Sequence, residues 1–236
     1  MSYQVYSAPD SANLVVQMIL EQLDASYELC WLNRGQGEHR TETYLRLNPQ
    51  GLIPTLVDGE HAVFETAAIA LYLGQKYGQL VPASDDSVAY SRCLQWLFYL
   101  SNTLHADLRI QFYSDRYRPD DSEPEVFLTK VRARVLGHFK LLDEQLHKHS
   151  PDGWLLGEEL SVCDFYLAAL ARWAALYPQG QAIAAEDLLS LPALNDFLIR
   201  MEQFPAVSRS IADQSVFGGL LRYPDPPDLP PAMVVG

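Results

Sequence analysis

Positive charge is scarce in this chain: 17 Lys and Arg stand against 30 Asp and Glu, giving a formal charge of −13. No Lys/Arg-rich segment gathers the few cations into a patch, so a phosphate backbone would be repelled and nucleic acid is not an expected partner. Cysteine is scarce too. Cys30, Cys93 and Cys163 are odd in number, far apart, and free of Cys-x-x-Cys or metal-ligand spacing, which disfavours a disulfide framework and a zinc site. Each lies in an apolar run and reads as a small buried hydrophobe. Long hydrophobic runs are missing as well. The most apolar stretch, Phe165 to Tyr177, is interrupted by Arg172 well short of a membrane span. No basic-then-apolar segment opens the chain as a signal peptide would. These absences lead to the expectation of a cytoplasmic protein with no membrane partner and no bound metal.

What is present is ordinary globular material, 48% hydrophobic and 20% charged over 236 residues, enough for one large domain or two modest ones. The first part alternates β-type runs with helical patterns. Tyr3 to Tyr6 reads as a strand, Asn13 to Leu23 as a helix and Tyr27 to Leu32 as a second strand. After a polar loop (Asn33 to Arg40) come a helical piece near Thr43 to Leu47 and a strand at Thr55 to Val57. Asp58-Gly59 is a hairpin signal that returns Ala62 to Phe64 antiparallel, and Thr66 to Tyr77 turns helical, with Gly78 placed to end it. Leu80 to Asp86 has the composition of a linker. Beyond it everything reads as helix: Ser87 to Tyr117, where Leu97, Leu100, Leu104, Leu108 and Phe112 recur at helical spacing, and about Pro124 to His149. Ser161-Val-Cys-Asp164 is a capping box that starts a buried helix. Shorter helices are expected at about Pro192 to Gln203 and Pro205 to Gln214. The order βαβ, ββα, then all helix predicts an α/β thioredoxin-like N-terminal domain (1–79), an all-α C-terminal domain (87–223) and a Pro-rich, extended tail (224–236). No internal repeat is present.

Several residues carry chemistry. An Ile53-Pro54 bond entering a strand is a candidate cis peptide that turns the Ile53 N–H and C=O outward as an unpaired edge where a peptide ligand can pair. Glu65 and Thr66 stand where a helix begins, so free N–H groups and the helix dipole can hold a carboxylate there. Arg40, beside His39, has the geometry to bind a carboxylate bidentately. The alternatives are plain ones: a trans Pro at an edge strand, a Thr N-cap with a first-turn Glu, and a solvated Gly-Glu-His-Arg loop.

Four patterns, Tyr6-Ser-Ala-Pro-Asp-Ser11-Ala-Asn13, His39-Arg40, Asn48-Pro-Gln-Gly-Leu-Ile53-Pro54 and Phe64-Glu65-Thr66, occur in the order and at the separations of the glutathione transferases, which this chain resembles across its N-terminal domain. The resemblance implies that glutathione is the co-substrate, its cysteinyl residue paired to Ile53 beside Pro54. Its γ-glutamyl end would lie at Glu65 and Thr66, and its glycyl carboxylate near His39 and Arg40. Leu52 stands where some relatives have a polar contact. The turn resembles that of the serine-type transferases, so Ser11 would hold the thiolate, with Asn13 the next candidate and Tyr6 and Ser7 behind; a plain helix N-cap is the competing role for Ser11. No cysteine occupies this turn, which disfavours redox chemistry through a protein thiol. By the same resemblance a small hydrophobic electrophile would meet Asn102, His105, Arg109 and Tyr113, which fall on one helix face, with Trp173 and Tyr177 nearby. The implied function is conjugation of glutathione in detoxification by a homodimer. The alternatives are a non-catalytic glutathione-binding or protein-interaction module, and a glutathione-dependent lyase, isomerase or peroxidase.

Overall fold

The computed structural model describes residues 2–214 and 218–228, and the chain divides into two compact units. In the first, β1 (Tyr3–Ser7), β2 (Tyr27–Trp31), β3 (Thr55–Asp58) and β4 (His61–Phe64) form one sheet in the order β2-β1-β3-β4. The β1–β2 pair is parallel, and β3 runs antiparallel to both β1 and β4. Alternation within β1 sends Tyr3, Val5 and Ser7 inward, as a half-buried strand requires. The hairpin turns at Gly59, whose φ of +62° suits the glycine of the Asp58-Gly59 signal. The unit's helices are α1 (Asn13–Gln22), α2 (Glu42–Leu47) and α3 (Thr66–Tyr77). A 3₁₀ turn at Glu38–Arg40 occupies part of the segment expected to be loop.

Every residue of α1 from Asn13 to Leu20 is buried, so the helix needs cover on all sides. Part of that cover comes from far along the chain. Helix α11 (Pro205–Asp213), which the sequence boundaries place in the helical half, belongs to this first unit together with residues 2–81. The reason is burial: Ala206, Val207 and Ile211 form its apolar stripe, and it is α1 that the stripe covers.

The second unit, residues 82–203 with 219–225, contains α4 (Ser87–Tyr99), α5 (His105–Phe112), α6 (Ser114–Tyr117), α7 (Pro124–His147), α8 (Val162–Leu176), α9 (Ala185–Leu189) and α10 (Pro192–Met201). The helix expected from Ser87 to Tyr117 is not uniform. A π-helical turn spans Leu100–Leu104, and Tyr113, at φ −120° and ψ 42°, separates α5 from α6. A π turn widens the ladder by one residue and so shifts the register of side chains across it. At the centre lies α8, buried from Val162 to Ala174. Its capping box forms as the sequence predicts, Asp164 accepting the Ser161 N–H at 2.8 Å. Arg172, fully buried, donates to the carbonyls of Leu220 and Asp225 at 2.5 and 2.8 Å, so its charge is solvated by backbone. Residues 224 and 225 of the expected tail are thereby held in this unit; 229–236 lie outside the described residues. Cys93 and Cys163 meet in this core, Cys163 Sγ lying 3.7 Å from the Cys93 carbonyl. Among the described residues no helix is long and apolar enough to cross a membrane, and no group of His, Cys, Asp and Glu is arranged to hold a metal ion.

Candidate functional site

Three segments of the first unit carry the predicted residues. Between β1 and α1, Ser11 does not act as an N-cap: Ala12 occupies that position without a side-chain cap. The Ser11 hydroxyl instead has two acceptors, Asn13 Oδ1 at 2.6 Å and the Ala8 carbonyl at 3.0 Å. Asn13 Oδ1 also accepts the Ala8 N–H at 3.2 Å. That leaves Asn13 Nδ2 buried with no partner, a donor of the kind that native interiors rarely leave unused. The weaker candidates are occupied. Ser7, fully buried, donates to the Val5 carbonyl at 2.9 Å. The Tyr6 ring packs on Tyr44 at 5.3 Å, and burial, then Cys30, raises its hydroxyl pKa.

The second segment runs from Asn48 to Thr55. Ile53-Pro54 is cis, and pairing of β3 to β1 begins only at Thr55. Among the described residues the backbone of Ile53 makes no hydrogen bond. Its neighbour is tied down: the Leu52 carbonyl accepts from Tyr44 Oη at 2.5 Å and Asn48 Nδ2 at 2.8 Å. Tyr44 also bonds Thr55 Oγ1 at 2.9 Å. The Leu52 side chain is half-buried. An unpaired backbone edge therefore sits beside a braced one, which is what pairing with an extended peptide requires.

His39 and Arg40 lie against this loop. Arg40 Nη1 donates to the Gln50 carbonyl at 3.0 Å, and a Cβ on Gly51 would come within 2.8 Å of the His39 carbonyl. Burial, then Arg34 and Arg40, lowers the His39 pKa. His39 Nδ1 is buried without a partner.

The third segment is the start of α3. Glu65 holds φ +71° and ψ 118°, a conformation that costs a non-glycine residue about 1–3 kcal/mol and collects at ligand sites. Its exposed carboxylate accepts from Gln50 Nε2 at 2.8 Å. Thr66 opens the helix and is 6% exposed. Gln50 thus joins the second and third segments, and Arg40 joins Gln50 to the 3₁₀ turn.

Two domain families match the chain: glutathione S-transferase N-terminal domain over residues 1–75 and glutathione S-transferase C-terminal domain over 106–214. The chain belongs to the glutathione S-transferase family. Among curated relatives of this chain, glutathione S-transferase GST-4.5 of Xanthomonas campestris pv. campestris is 27% identical over 200 residues, 84% of this chain and 92% of the relative. The disulfide-bond oxidoreductase YfcG of Escherichia coli K12 is 27% identical over 214 residues, 88% and 93% of the two chains. Among solved structures, glutathione transferase URE2P6 of Phanerochaete chrysosporium, in complex with oxidized glutathione, superposes with a TM-score of 0.77 at 23% identity. It covers 90% of this chain and 96% of that one, a likeness of fold.

The helical unit carries the remaining predicted residues. Asn102 and Arg109 are exposed, and Arg109 Nε donates to Tyr117 Oη at 3.1 Å. Tyr113, past the end of α5, lies under Arg116 at 4.3 Å and Arg109 at 5.8 Å. His105 turns aside from that group: its Nδ1 bonds Tyr166 Oη at 2.8 Å and its ring leans on Trp173 at 5.5 Å. Burial, then Arg109, lowers its pKa to about 4, so it is neutral at neutral pH. Arg109 and Tyr113 are thus brought together, whereas the His105 ring is engaged by Tyr166 and Trp173. Tyr44, Gln50 and Gln214, which brace the N-terminal segments, went unnoticed in the sequence. Gln50 lies within the Asn48–Pro54 motif and Tyr44 in the helical piece ahead of it, but no local pattern marks Gln214.

Proposed function

We propose that this protein is a glutathione transferase in which Ser11 stabilises the glutathione thiolate for attack on a small electrophile. The observation that carries this is the state of the Ser11 turn: a hydroxyl free of helix capping, at the start of α1, beside the unpaired Asn13 amide. The cysteinyl backbone of glutathione would pair with Ile53, and Glu65 and Thr66 at the start of α3 would take its γ-glutamyl ammonium and carboxylate. His39 and Arg40 would lie toward the glycyl end. Arg40 acts chiefly by fixing the Gln50 loop.

With sulfur near Ser11, the hydroxyl proton swings from Asn13 Oδ1 to the thiolate. A hydrogen bond to a charged acceptor contributes about 1.5–3 kcal/mol and the α1 dipole about 0.3–1, which together lower the thiol pKa by about one to three units from about 8.5. The thiolate then attacks the electrophilic carbon, and the leaving group departs with the electron pair or, in an addition, a proton is taken up from water. On the helical unit the exposed Asn102 and Arg109, with Tyr113, are the groups we assign to this second substrate. We further assign the protein to the cytoplasm, as a homodimer acting in detoxification.

Ser11→Ala should raise the thiol pKa of bound glutathione, read by thiolate absorbance, by about one to two units. Conjugation at neutral pH should fall about ten-fold or more and return at high pH. If the pKa moves in Asn13→Ala instead, Asn13 is the stabilising group. If it moves in neither, a non-catalytic binding module is the better account.

A second reading follows from the relationship to YfcG, a glutathione-dependent disulfide exchange. Here the glutathione thiolate itself would attack one sulfur of the disulfide, forming a mixed disulfide as the S–S bond breaks and the other sulfur leaves as a thiolate, since Cys30 is half-buried and its pKa is raised by burial and Glu28. Turnover of a small disulfide exceeding that of every electrophile tried would favour it.

A further inference from the structure

Asp10 precedes Ser11 and holds φ +45°, a left-handed conformation that residues with a side chain rarely adopt. Its amide is held from far along the chain, donating at 2.9 Å to Gln214 Oε1, 204 residues away and just past the end of α11. Gln214 is itself fixed. Its Nε2 donates to Gln17 Oε1 at 2.6 Å, and Gln17 Nε2 donates to Asp213 Oδ2 at 2.8 Å and to Tyr27 Oη at 3.2 Å. The chain ends where Tyr27 Oη donates to Glu21 Oε1 at 2.6 Å. Gln17 and Gln214 are 0% and 1% exposed. The charged groups around them are Asp10, Asp213, Glu21 and Arg209, whose Nη1 lies 3.5 Å from Glu21.

A buried amide with both ends bonded has one orientation, and a satisfied network of such groups is rigid. Gln214 could have ended α11 through its backbone alone, since its N–H already bonds the Ile211 carbonyl; its side chain reaches instead to the turn that carries Ser11. We propose that Gln214 is a positioning residue for the Ser11 turn, with Gln17 as its brace: by accepting the Asp10 amide it sets the backbone from which the Ser11 hydroxyl meets the glutathione thiolate. The inference rests on the role given to Ser11 above. Its physical basis is that the strength of a charge-assisted hydrogen bond depends on alignment, and small misplacements of a reacting group are costly.

The test uses the full chain with Gln214→Met, which keeps volume and removes both hydrogen bonds, and Gln17→Met, which removes only the brace and stands in should the first fail to fold. Deuterium exchange in the peptide covering residues 8–12 should accelerate in both. The thiol pKa of bound glutathione should rise by up to about one unit, and kcat toward a generic electrophile at neutral pH should fall about three- to ten-fold and recover at high pH. The KM for glutathione should stay within about two-fold, because Ile53, Glu65 and Thr66 are untouched. Unchanged thiol pKa and pH profile in both variants, with Ser11→Ala shifting them, would overturn the proposal and leave Gln214 a fastener of α11. If Ser11→Ala shifts nothing either, the role of Ser11 and this inference fall together. Faster exchange at 8–12 would then show that the contact exists without serving the sulfur.

Discussion

Asp164 offers a demanding test of the energetics, because two opposed effects meet on one carboxylate. It is fully buried; Oδ1 accepts the Leu155 N–H at 2.8 Å, and Oδ2 accepts the Ser161 N–H at 2.8 Å and the Ser161 hydroxyl at 2.7 Å. Asp164→Ala leaves two buried amides without partners, at about 1–3 kcal/mol each. Working against this is the cost of burying the charge. Burial raises the carboxyl from 3.8 to about 6, outweighing the hydrogen bonds that lower it. A folded pKa above the unfolded one means that the folded chain binds the extra proton, so this contribution to stability is fully present below about pH 4 and lost as pH rises through about 6. Integrating between about pH 5 and pH 7.5 gives about 1.4 kcal/mol. The penalty for Asp164→Ala should therefore be larger at pH 5 than at pH 7.5 by about that amount, measured by urea unfolding at both values. Other titrating groups, His105 included, are common to both chains and cancel in the difference. An equal penalty at the two pH values, or a larger one at pH 7.5, would mean that the hydrogen bonds hold the carboxylate ionised and that burial has been weighed too heavily.

His105 works in the opposite sense. Its pKa is lowered to about 4, so its contribution is present above about pH 6.5 and lost as pH falls toward 4; His105→Phe should lessen the loss of stability between about pH 7.5 and 5 by about 2 kcal/mol, read from the same unfolding curves. Glu65→Ala should weaken glutathione binding more than His39→Ala in calorimetric titration, because Glu65 would face the ligand's ammonium at the start of α3 whereas His39 lies in the Glu38–Arg40 turn; a reversed order would mean that the ligand lies elsewhere. Sedimentation at micromolar concentration should give the mass of a dimer, and a monomer would refute that assignment.

The sequence by itself determined most of the local structure, because each element carries its own signal. Alternation marks β1, Asp58-Gly59 turns the hairpin, Gly78 at φ +64° ends α3, and the Ser161–Asp164 box starts α8. The positions of Ile53-Pro54, Glu65-Thr66 and Ser11 at the edges of those elements were legible for the same reason. What only the tertiary structure decided are the contacts between residues distant in sequence. Nothing local in Pro205–Asp213 says that its apolar stripe covers α1, or that Gln214 reaches Asp10. Nothing local reveals that Cys163 meets Cys93. The expected single face of Asn102, His105, Arg109 and Tyr113 assumed 3.6 residues per turn. The π turn at Leu100–Leu104 breaks that period, and the pairing of His105 with Tyr166 draws its ring away. Periodicity reports which face of an element is apolar, but which partner covers that face depends on the whole chain's packing.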